Sequence, residues 1–85
     1  MKRVNFIELK SLPLNTLVVY NDLVFYISGV SGFWVCLNKT KLERACPADL
    51  LCSCDEFIGI YGFYMCSIFL PESEEEIAMA LLRHY

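Results

Sequence analysis

The residues of this 85-residue chain best suited to chemistry are its five cysteines, Cys36, Cys46, Cys52, Cys54 and Cys66, and its one histidine, His84. Thiolates are soft ligands, and four converging soft ligands hold a zinc ion. The close set is Cys46, Cys52 and Cys54, with Cys36 or Cys66 as a fourth thiolate and His84 as an outside candidate. Their spacing is C-x5-C-x-C, however, and not the paired C-x2-C of a zinc knuckle. The thiols are therefore read as core or surface residues, since free cysteine packs as a small apolar side chain. No metal and no cofactor is expected, and a small cysteine-based zinc module stands as the alternative.

Catalytic chemistry has little to build on. A nucleophilic cysteine needs a base to raise its thiolate fraction, and His84 stands one residue from the end of the sequence. Asp55-Glu56 and Asp49 are carboxylates for which the sequence supplies no pocket and no supporting second shell. Gly29-x-x-Gly32 is too short for a phosphate cradle and no helix is expected after it. The expectation is a protein that is not an enzyme.

Composition points to binding instead. The chain is 56% hydrophobic and carries no charged residue from position 57 to position 70. A domain of this size buries only about 60–65% of the surface its unfolded chain exposes, so some of that apolar surface must meet a partner or a second copy. Phe33, Trp34, Phe57, Tyr61, Phe63 and Tyr64 are many aromatics for one small core. Trp and Tyr anchor interfaces most often. Trp34, Tyr61 and Tyr64 are accordingly assigned to a partner surface, and Phe33 and Phe57 to the core. Glu74 and Glu75, in the acidic run 72–76, are added as charges able to meet a basic partner.

The balance of charge argues against other classes. Ten acidic against seven basic residues give a net charge of −3, which opposes attraction to a phosphate backbone. Lys39, Lys41 and Arg44, with Trp34, are the residues a nucleic-acid-binding barrel would use. The 14-residue uncharged run falls short of the roughly 20 residues of a membrane-spanning helix and contains Gly59 and Gly62. Its flanks are acidic, unlike those of an in-plane anchor, so no membrane association is expected. An odd number of cysteines and a polar start, Met1-Lys2-Arg3, predict a cytoplasmic protein with reduced thiols.

The elements that must position these residues follow from period and punctuation. Asn5 with Glu8 can close a capping box over a short helix ending near Lys10, the alternative being a first strand, and Pro13 ends it. Residues 16–20 and 23–28 are β-branched and aromatic around the turn pair Asn21-Asp22, which predicts a hairpin. Residues 33–37 form a third strand, with Phe33, Val35 and Leu37 on one face and Trp34 and Cys36 on the other. The alternating charges of 41–46 predict a fourth, edge strand, and residues 46–51 a single helical turn. Residues 57–61 and 63–70 read as two strands about a turn at Gly62. Ser73 with Glu76 caps a final helix whose Ile77, Ala80, Leu81 and His84 stripe is widened by Ala78, Leu82 and Tyr85.

The prediction is one compact α+β domain over residues 1–85: a small antiparallel β-sheet, as a meander or a partly open barrel, with a C-terminal helix and a short N-terminal one. By strand pattern alone, residues 16–46 resemble a small SH3-like barrel. In type, a short acidic chain without catalytic residues resembles the small proteins by which phages and other mobile elements inhibit host defence or nucleic-acid-handling machinery. That resemblance implies an inhibitor that occupies a protein surface, and the apolar excess adds self-association as a homodimer or other homo-oligomer.

Overall fold

The structure is a computed structural model that describes residues 1–44, 54–63 and 67–84, the side chains of Tyr61, Phe63 and His84 excepted. Over these residues it is an α+β domain with a six-stranded antiparallel open sheet. The chain runs through β1 (Lys2–Val4), α1 (Phe6–Lys10), β2 (Leu17–Tyr20), β3 (Leu23–Val30) and β4 (Trp34–Asn38), then β5 (Glu56–Gly59), α2 (Ile60–Phe63), β6 (Ile68–Leu70) and α3 (Glu74–His84). The spatial order is β1-β6-β2-β3-β4-β5. Strands β2 to β5 make the meander. The sheet ends at β1 on one side and β5 on the other, so the described strands do not close into a barrel.

Local chemistry explains the hairpins and helices. Asn21 and Asp22 both take positive φ, 51° and 61°, the twist that suits a two-residue hairpin turn between β2 and β3. Asn5 caps α1 by accepting the Glu8 amide on Oδ1 at 2.8 Å, and Ser73 caps α3 by accepting the Glu76 amide on Oγ at 3.1 Å. Three glutamates then occupy the first turn of α3, where the helix dipole favours them.

Alternation along the strands sorts the side chains onto two faces. Val18, Phe25, Ile27, Val35, Leu37, Ile58 and Ile68 share one cluster with Val4 and with Phe6 and Leu9 of α1. On the opposite face Val19 and Val24 pack against Ala80 of α3, flanked by Leu17, Tyr26 and Phe69. Helices α1 and α3 therefore cover opposite faces of the same sheet. Between Ile27 and Gly29 the pairing with β4 shifts by a bulge, and there Ser28 Oγ donates to Asn38 Oδ1 in a buried contact.

Several sequence expectations are corrected. Residues 41–44 do not form a strand. Both backbone polar groups of Leu42 are taken by one side chain: Asn15 Nδ2 donates to its carbonyl at 2.6 Å and Asn15 Oδ1 accepts its amide at 2.9 Å. That clamp replaces a ladder. Residues 45 and 46 and the helical turn expected over 46–51 lie outside the described residues. The two strands expected about Gly62 are shorter and not neighbours, and Gly62 sits in α2. The antiparallel order makes β5 and β6 parallel to each other and four strand spacings apart, about 19 Å. Such strands need a crossover, which a glycine hairpin cannot supply. Finally, residues 2–4 form a strand that the sequence reading leaves out, paired to β6 through Lys2 with Leu70 and Val4 with Ile68.

Candidate functional site

The exposed aromatic surface gathers at the β4–β5 end of the sheet. Trp34 opens β4 on the face opposite Val35 and Leu37 and is half-buried. Phe57 stands directly across from Cys36 in the ladder, which makes it the diagonal neighbour of Trp34. Their ring centroids are 5.7 Å apart at an interplanar angle of 39°. Phe57 is nevertheless 49% exposed, and Phe33, in the turn just before β4, is 75% exposed. Assigning both phenylalanines to the core is therefore overturned.

The turn that presents Phe33 is held at three points. The Ser31 amide donates to the Trp34 carbonyl at 2.9 Å, and the Phe33 amide donates to Ser31 Oγ at 3.1 Å. The Ile60 amide donates to the Phe33 carbonyl at 2.8 Å, which ties the turn to the chain leaving β5. The backbone under Phe33 is thus fixed while its ring faces water. Such a surface is pre-ordered, so a partner need not supply that ordering entropy on binding.

The other expected partner residues fall elsewhere. Tyr61 lies in α2, close in sequence to the β5 end, and its side chain is outside the described set; Tyr64 lies outside the described residues. Glu74 and Glu75 are exposed in the first turn of α3. That turn follows β6, and its Glu76 pairs with the Met1 ammonium next to β1. The hydrogen bond from this ammonium pulls the Glu76 carboxyl below its ordinary range. The acidic turn is therefore by the β1–β6 side of the sheet, and Trp34 is by the other.

The basic residues also stand apart from the aromatic patch. Lys39 follows the far end of β4, five positions and about 16 Å of strand from Trp34. Its amide donates to Asp55 Oδ2 at 2.7 Å. The Lys41 ammonium lies 5.5 Å from the centre of the Tyr26 ring. Arg44 is exposed. A nucleic-acid surface combining these cations with Trp34 would have to bridge that length.

Of the cysteines, Cys36 is buried and Cys54 is half-buried, and the others lie outside the described residues. Among the described residues no group of three or more His, Cys, Asp or Glu could hold a metal ion. Among them, too, no helix is long and apolar enough to cross a membrane.

Two signals could have found Phe33 and Phe57 in the sequence. Phe33 follows Ser31-Gly32, a turn whose tip faces solvent. Phe57 alternates with Ile58 after two acids, the pattern of an end strand with one covered face. Compared with protein-family models, curated proteins and solved structures, the chain matches none.

Proposed function

We propose that this chain is a non-enzymatic protein-binding module whose partner surface is formed by Phe33, Trp34 and Phe57. The observation that carries the reading is the three-quarters exposure of Phe33 on a turn held by three hydrogen bonds. Large apolar rings gathered in water on a fixed backbone mark an interaction surface, and aromatic anchors dominate interface energetics. The neighbouring Phe57–Trp34 pair extends that surface onto the last strand of the sheet. Its action is occupancy: the module blocks or bridges a surface of another protein, as an inhibitor of the small phage type would.

The test is capture from a lysate by wild type beside a Phe33→Ser, Phe57→Ser variant, after circular dichroism has shown both folded. A protein captured by wild type and lost with the variant supports the reading. Equal capture by both removes these rings from the partner surface.

A further inference from the structure

We infer that the open edge of β5 receives an extended segment of the partner protein as an added antiparallel strand, an inference that rests on the partner-surface reading for the ring of Phe57. Two hydrogen bonds fix which backbone groups face that edge. The Ile60 amide donates to the Phe33 carbonyl at 2.8 Å, one step beyond the pairing of Trp34 with Gly59, and the Ser31 amide donates to the Trp34 carbonyl at 2.9 Å. In an antiparallel ladder, hydrogen-bonded and non-bonded pairs alternate. Counting from Ile60, residues 58 and 56 bond inward to β4, while the N–H and C=O of Phe57 and Gly59 point away from it. Counting from Ser31 gives the same parity, since Trp34 and Cys36 then bond to β3 and leave Val35 and Leu37 for β5. Among the described residues no strand lies beyond β5.

Such a row of donors and acceptors is matched by an extended chain of the same spacing. The two ends of the sheet differ in how they meet this exposure. At β1 the charged, exposed side chains of Lys2 and Arg3 blunt the edge, whereas β5 has no lysine, no proline and no bulge against β4. Side chains then set the partner's sequence. The residue opposite Phe57 lies on the face of Phe57 and Trp34, where the half-exposed ring of Phe57 offers an apolar contact. Glu56 makes no ion pair among the described residues, while the neighbouring Asp55 carboxylate already accepts the Lys39 amide. The residue opposite Glu56 is therefore Lys or Arg, and the one opposite Ile58 is apolar. Along an antiparallel partner the order is apolar, apolar, basic. A second β5 does not supply it, because pairing about Phe57 sets Glu56 of each copy against Ile58 of the other.

The probe is the peptide Ser-Thr-Val-Val-Lys-Thr, fluorescein-labelled at its start and amidated at its end, followed by anisotropy and by NMR of the protein amides. A four-residue ladder is short, so the expected dissociation constant lies between about 10 µM and 1 mM, with the Phe57 and Gly59 amides moving most. N-methylation of the second valine, opposite Phe57, removes a bond to β5 and should weaken binding at least about fivefold. The same change at the first valine, whose N–H points away, should alter binding less than about twofold. Gly59→Pro deletes an outward N–H at a residue without positive φ, and should weaken binding about fivefold with unchanged circular dichroism. Gly59→Ala keeps the amide and meets its nearest neighbour, the Phe33 carbonyl oxygen, only at 3.9 Å, so it should bind as wild type does. If Gly59→Pro unfolds the chain, the two methylated peptides still decide. No binding at about 1 mM peptide, equal binding of the two methylated peptides, or Phe57 and Gly59 shifts that follow protein concentration without peptide each overturn the added strand. Phe57→Ser separates the two readings, since it removes the ring and keeps the edge. Binding lost with Phe57→Ser but blind to the methyl position keeps the aromatic surface and removes the strand. Binding that responds to the methyl position and not to Phe57→Ser does the reverse.

Discussion

The indole of Trp34 lies against the ring of Phe57, centroids 5.7 Å apart, as a diagonal pair across the β4–β5 ladder. The contact lets Trp34 be half-buried while Phe57 still offers about half its surface to water. Such pairs contribute roughly 0.5–1.5 kcal/mol beyond their area burial. Trp34→Ala should therefore lower stability by about 1–3 kcal/mol. A double-mutant cycle with Phe57→Ala, read by urea unfolding, should show coupling of about 0.5 kcal/mol or more. Additive effects would mean the rings do not support each other.

Phe33 should behave in the opposite way. Its ring is exposed and only its backbone is held, so Phe33→Ser should change unfolding free energy by no more than about 0.5 kcal/mol, the usual range for surface substitutions. A loss of 2 kcal/mol or more on this change would show that the ring is part of the core.

Asn15 joins two distant segments. Its φ is 65°, its amide donates to the Ile27 carbonyl at 2.7 Å, and its side chain holds both polar groups of Leu42. Asn15→Ala removes both side-chain bonds and puts a Cβ-only residue at positive φ, which should cost about 1–3 kcal/mol. Asn15→Gly relieves the backbone but still loses the clamp, so it should recover only part of that loss. Full recovery with glycine, measured by chemical denaturation, would assign the whole effect to φ.

Leu9 is fully buried beneath the sheet, so Leu9→Ala should destabilise by about 2–5 kcal/mol. Asn5→Ala, which removes only the cap of the same helix, should cost about 1 kcal/mol. The order of the two in thermal unfolding tests whether α1 is held by packing more than by its own cap.

The N-terminal strand is tied to α1 by Lys2 Nζ and Glu8 Oε2, 2.7 Å apart. The hydrogen bond from Lys2 holds the Glu8 carboxyl below its ordinary 4.5, and the same bond raises Lys2 above its ordinary 10.5. A depressed carboxyl stabilises the fold above 4.5 and loses that contribution as pH falls through its folded value. The raised lysine contributes below 10.5 and loses it as pH rises through its folded value. NMR titration of the Glu8 carboxyl should show a midpoint lower in wild type than in Lys2→Ala. Equal midpoints would mean the pair does not persist in solution.

The legible parts of the fold were those governed by local chemistry. Asn21-Asp22, the N-caps Asn5 and Ser73 and the alternation of Val35 and Leu37 against Trp34 and Cys36 all depend on neighbours within a few residues. What the sequence hid depends on distant pairing. Lys2 to Val4 becomes a strand because β6 lies beside it, and β6 lies there through a crossover that periodicity does not encode. Lys41 to Arg44 alternates like a strand, but Asn15, 27 residues before Leu42, removes its ladder. The proposed partner surface is half legible. Trp34 is assigned to it by residue type, whereas Phe33 and Phe57 read as core until the turn and the end strand turn them outward.

The most direct test of the partner surface places a photo-crosslinking phenylalanine analogue at position 33 or 57, with Asn21 in the β2–β3 turn as the control, and maps the products in living cells. The account predicts one and the same protein crosslinked from positions 33 and 57, competed away by unlabelled wild type and missing at position 21. No crosslink from either aromatic position, or equal capture from Asn21, would contradict it.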